Sequence, residues 1–90
     1  MENPVLVTTE HRGVFFGYCD YEKDKFSPQL ELKKARCAIR WSTSEGFLEL
    51  AKVGPNENSK IGAVAESLAL QKVTSVSLVS KEAEKAWVAA

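Results

Sequence analysis

Between Lys33 and Arg40 the sequence places four cations, Lys33, Lys34, Arg36 and Arg40, with no acidic residue among them. Arginine offers a planar fork of donors that matches phosphate in pairs, so this run is the chain's strongest chemical signal. Apolar residues hold the odd positions Ala35, Cys37, Ile39 and Trp41. If those point to a core, Lys34, Arg36 and Arg40 share the opposite face of a strand. Alternate strand residues stand about 6.8 Å apart, which separates Arg36 from Arg40 by about 13 Å and suits a ligand with two phosphates. Arg12 and Lys60 are further cations that would assist, and Phe15, Phe16, Tyr18 and Trp41 are rings that could stack a base where exposed. The plainer alternative is a solvated outer face whose charges block edge-to-edge aggregation.

Other chemistries find less support. A structural zinc site wants about four thiolate or imidazole ligands. The chain offers Cys19, Cys37 and His11, with no close pair. Asp20, Glu22 and Asp24 resemble the opening of a calcium loop, but Lys25 stands where the loop needs glycine and the closing glutamate is missing. A solvated turn is the expectation there. His11 is the single histidine and falls in an expected turn, so a nucleophile would have one candidate base. Nothing in the spacing of Glu31, Glu45 and Glu49 brings two carboxylates together, and Ser59-Lys60-Ile61-Gly62 lacks the glycine frame of a phosphate loop. Neither an enzyme nor a metal or other cofactor is expected.

The elements that must carry the basic run are mostly strands. Val5 to Thr9 is β-branched and Val14 to Cys19 follows Gly13 as its antiparallel neighbour. Gly17 inside the second strand suggests a bend or a close approach by another segment. From residue 29 to 41 the period of two persists but changes phase near Lys33-Lys34, as a β-bulge or sharp bend produces. A β region from Ile61 to Val79 repeats the pattern. Leu68 and Leu70 share a face, as do Thr74, Val76 and Leu78, with Val73 and Val79 opposite and a second bend near Gln71-Lys72. Ser42-Thr43-Ser44 offers an N-cap for a short helix over Glu45 to Ala51, stopped by Gly54-Pro55. Ser80 caps a last helix, Lys81 to Ala90, with Ala83, Trp87 and Ala90 at helical spacing toward the sheet. The expected fold is mainly β within the α+β class. It is a small, strongly curled antiparallel sheet or barrel, with a short mid-chain helix and a C-terminal helix, in a single domain over 1–90.

Twelve basic residues balance twelve acidic ones, which argues against a protein that coats nucleic acid through its charge. Two cysteines without a secretory leader are expected as free thiols in the cytoplasm. No stretch approaches the ~20 apolar residues of a membrane span. A chain of 90 residues buries a thin core, so a homo-oligomer is expected.

Several short segments carry a likeness. Arg12-Gly13-Val14-Phe15-Phe16-Gly17, Leu32-Lys33-Lys34-Ala35-Arg36 and Trp41 resemble, in this order, a family of short phage and prophage proteins. Gly46 to Ala51, Gly54-Pro55, Ser59-Lys60-Ile61 and Val73-Thr74-Ser75-Val76 continue it over nearly the whole chain. That family carries a domain-of-unknown-function label and transfers no catalytic residue. The resemblance implies a phage setting, in which small proteins act against the host. Some sequester nucleotide second messengers of anti-phage defence in basic, aromatic-lined pockets of compact oligomers. The expectation is therefore a non-catalytic nucleotide sponge in the host cytoplasm. Arg36 and Arg40 would pair with phosphates, Arg12 and Lys60 would assist, and Trp41 or Phe16 would stack a base. The alternative is a protein-interaction module that binds and blocks a host protein. A small barrel for single-stranded nucleic acid is a third class.

Overall fold

The computed structural model describes residues 2–10, 13–40, 48–55 and 59–90, and of Arg40 the backbone. Strand β1 (Asn3–Thr9) runs antiparallel to β2 (Val14–Cys19), with Val5 opposite Gly17 and Val7 opposite Phe15. Val5, Leu6 and Val7 are all buried. Consecutive buried residues in a strand mean that both faces are covered, and the unbroken apolar run of β1 is the sequence form of that position.

The expected phase change is present in β3 (Leu30–Arg40). Phe16 pairs with Arg36 but Tyr18 pairs with Lys33, so two steps on β2 face three on β3. The break falls at Lys34, whose φ of 49° is left-handed. Leu30 and Leu32 before the bulge, and Ala35 after it, therefore face the same way despite the change of parity.

Two strands share the other edge of β3. Strand β4 (Lys60–Ile61) pairs with its last residues, and β5 (Ala65–Leu70) pairs along Leu30 to Ala35. Strand β6 (Val73–Leu78) pairs instead with β1. Only Gln71 and Lys72 join β5 to β6, with Lys72 at φ 54° as the second bend. Two strands at opposite ends of one sheet thus meet at a corner, and the sheet must curl strongly to allow it. It does not close. Helix α1 (Tyr21–Asp24) packs Tyr21 against the inner cluster, and the Val73 N–H donates to Pro28 O at 2.9 Å.

Two apolar clusters result. The inner one joins Val5, Val7, Leu30, Leu32, Ala35 and Leu70. On the other face, Leu6, Val14, Phe16 and Ala38 lie under helices α2 (Glu49–Lys52) and α3 (Lys81–Ala89). Trp87 is fully buried, stacks on Phe16 at 5.2 Å between ring centroids, and donates from Nε1 to Leu50 O at 3.0 Å. Ser80 caps α3 as expected, accepting from the Ala83 N–H at 3.0 Å and donating to Lys52 O at 2.6 Å. Gly54 ends the α2 segment at φ 82°, where a Cβ would stand 2.6 Å from Ala86 Cβ.

Some expectations change. Residues 20–25 are not simply a turn, because Asp20 accepts from the Lys23 N–H and nucleates α1. The mid-chain helix is seen as Glu49–Lys52, while its expected cap at Ser42 to Ser44 and residues 45–47 lie outside the described residues. Val73 packs with Val76 rather than opposite it, because the β1–β6 register shifts at Thr8/Thr9. Ile39 is exposed and Ala38 buried at the end of β3, since the helices cover Ala38's face. Ala90 is exposed beyond the last turn of α3.

Gly17 shows why a residue without a side chain stands mid-strand. A Cβ there would lie 2.8 Å from Leu32 Cβ, inside the buried cluster. Gly17→Ala should destabilise the fold by ~1–3 kcal/mol through overpacking, read as a lowered urea midpoint at unchanged slope.

Candidate functional site

The bulge brings the basic run to a cleft on the helix side of the sheet. Phe16 and Tyr18 of β2 form its floor, and Lys33, Lys34 and Arg36 of β3 form one wall. Val64, between β4 and β5, and Val88, in the last turn of α3, supply an apolar rim, with Glu2 at the margin. The cleft encloses about 370 Å³, within the roughly 300–1,000 Å³ usual for small-molecule sites. Three cations face one carboxylate in its lining.

Each cation is held differently. Arg36 donates from Nε to Gly62 O at 2.9 Å, and from Nη1 to Trp87 O at 2.8 Å and Ala90 O at 2.6 Å. It thereby satisfies carbonyls at the end of α3, where a helix favours positive charge. Lys33 pairs with Glu31 at 3.2 Å. The Ser67 hydroxyl and that lysine hold the Glu31 carboxyl below its ordinary value. Lys34 has no ion pair or hydrogen bond among the described residues.

Of the residues singled out in the sequence, Arg36 and Phe16 come together here. Arg36 is not on a solvated face, because α3 lies against it. Phe16 is 1% exposed with its ring stacked on Trp87, so it builds the floor and offers no open face to a base. Lys60 is exposed on β4, opposite Arg40 in the register. Arg12, Trp41 and the Arg40 side chain lie outside the described residues. Val64, Val88 and Glu2 had no signal in the sequence, since only the tertiary fold carries them to β3. Lys34 did have one, as the residue at the phase change.

Tyr18 ties the floor to α3. Its hydroxyl donates to Glu84 Oε2 at 2.6 Å, and burial together with that carboxylate pushes the phenol up to about 12. Burial likewise pushes the Cys19 thiol up to about 11, with Asp24 and Asp20 adding to it. Both groups bind protons more tightly folded than unfolded, so their stabilisation is complete below the unfolded values of 9.0 for the thiol and 10.0 for the phenol. It is lost as pH rises from about 9 to about 12. The thermal midpoint should fall across that window, and Tyr18→Phe should remove the part of the fall above pH 10.

A family model described as Domain of unknown function (DUF6948) matches residues 2–87. The chain belongs to this family. The DUF6948 match takes in both strands of the cleft and α3 as far as Trp87, leaving only Val88 of the lining outside it. No curated protein and no solved structure matches the chain. No helix among the described residues is long and apolar enough to cross a membrane.

Proposed function

We propose that this protein is a non-catalytic binding protein that sequesters a nucleotide-class anion in the cleft above the β3 bulge. One observation carries the reading. Lys33, Lys34 and Arg36 line a single cleft with an aromatic floor and an apolar rim. Cations supply affinity for phosphate, and the exposed valines with half-buried Tyr18 supply apolar surface for a sugar or base. The likeness to short phage proteins supports a ligand of the second-messenger class, held in the host cytoplasm by a homo-oligomer of this chain.

Thermal unfolding against a panel of mononucleotides, cyclic di- and trinucleotides and ADP-ribose isomers tests this. Ligand at about 100 times its Kd should add roughly 2.7 kcal/mol. In a domain this small that is a rise on the order of 10–20 °C. Intact ligand recovered after denaturation completes the case for sequestration, whereas turnover of the ligand would overturn it. A flat panel would leave the cleft without its ligand class.

A protein-docking role is the second reading. Val64 and Val88 are 55% and 64% exposed on the cleft rim, as an apolar contact surface requires. A stoichiometric host partner lost on Val64→Asp, together with a flat nucleotide panel, would favour it.

A further inference from the structure

We infer that the cleft grips one compact anionic group, a single phosphate of a mononucleotide-sized ligand, and that Lys34 is the residue that seizes it. This rests on the binding reading above and narrows it. The described cations of the cleft lie within four consecutive residues of β3. A strand advances about 3.3 Å per residue, so the Lys34 and Arg36 backbones stand about 7 Å apart, and two long side chains can converge on one phosphate. Two phosphates about 13 Å apart would need cations four residues apart instead. The volume of about 370 Å³ is also near the lower end for ligand sites.

Lys34 is singled out by its backbone and by its lack of a polar partner among the described residues. A non-glycine residue at φ 49° occupies a region that favours glycine or asparagine, and it does so at a bulge that glycine would serve with less strain. Lys33 is paired with Glu31 and Arg36 is engaged by three backbone oxygens, whereas the Lys34 ammonium has no polar partner among the described residues and lines the cleft. A strained residue whose side chain has no polar partner among the described residues and lines a cleft fits strain kept for a ligand.

The test is isothermal titration of the full chain with the four nucleoside 5′-monophosphates, the matching nucleosides and cyclic di-AMP. It uses the wild type, Lys34→Gly and Lys34→Met. Wild type should bind at least one monophosphate, and at least tenfold more tightly than its nucleoside. Lys34→Gly should lose at least tenfold in affinity while melting at or above the wild-type temperature. Lys34→Met, which keeps a side chain at the strained position, should lose affinity without that gain. Unchanged affinity in Lys34→Gly would overturn the role of Lys34. Cyclic di-AMP binding tenfold more tightly than every monophosphate would overturn the single-phosphate grip. Both of those outcomes leave the broader binding reading standing; a wild type that binds none of the probes overturns the single-phosphate grip, and the broader reading falls as well only where cyclic trinucleotides and ADP-ribose isomers also fail to bind.

Discussion

Trp87→Ala should destabilise the protein by ~3–5 kcal/mol, the usual range for removing a buried large aromatic side chain. Trp87 is fully buried, stacks on Phe16 and donates to Leu50 O, so one side chain joins α3, β2 and α2. Its removal opens a cavity and strips the Leu50 carbonyl of its partner. A domain of this length has roughly 5–14 kcal/mol in total, so the loss takes a large share of it. Urea unfolding followed by far-ultraviolet circular dichroism would read it directly. Trp87→Phe can keep a stacked ring but loses the hydrogen bond and part of the buried indole volume, so its stability should fall between those of wild type and alanine. A loss under ~1 kcal/mol for alanine would mean that α3 is not docked through this residue.

Arg36→Ala should act on stability and on binding together. Hydrogen bonds from a charged donor are worth ~1.5–3 kcal/mol, but these three carbonyls are only partly buried and regain water. A net loss of about 2 kcal/mol is the expectation. Loss of the cation should also weaken any phosphate ligand by at least tenfold, since charge-assisted bonds are the strong ones. Arg36→Lys separates the two effects. It keeps the charge but not the planar fork, so the last turn of α3 should loosen while part of the affinity survives. Hydrogen exchange of the α3 amides would follow the first effect, and titration the second. Equal affinity in Arg36→Ala and wild type would remove Arg36 from the site.

The fold was legible where a local pattern reports a local event. The parity change between Leu32 and Ala35 placed a bulge near Lys33-Lys34, where the structure has it at Lys34, and Ser80 located the start of α3. Helix α1 was not legible, because four residues show no period and its cap is one aspartate in a charged run. The cleft was legible in half. Alternation placed Arg36 on the face opposite Ala35, but alternation says nothing about what covers a face, and here α3 does. Phe16 is a ring that could stack a base only where exposed, and Trp87, 71 residues away in the chain, covers it. Val64 and Val88 reach the rim only after β5 pairs with β3 and α3 docks. Such contacts belong to long-range packing, which no short window of sequence contains.

The most direct measurement is a titration of isotope-labelled protein with a nucleoside 5′-monophosphate, followed by amide chemical shifts. Saturable shifts should cluster at Tyr18, Lys33 to Arg36, Val64 and Val88, with the inner residues Val5, Val7 and Leu70 unmoved. Saturable shifts elsewhere on the sheet with the cleft silent would contradict the proposed site.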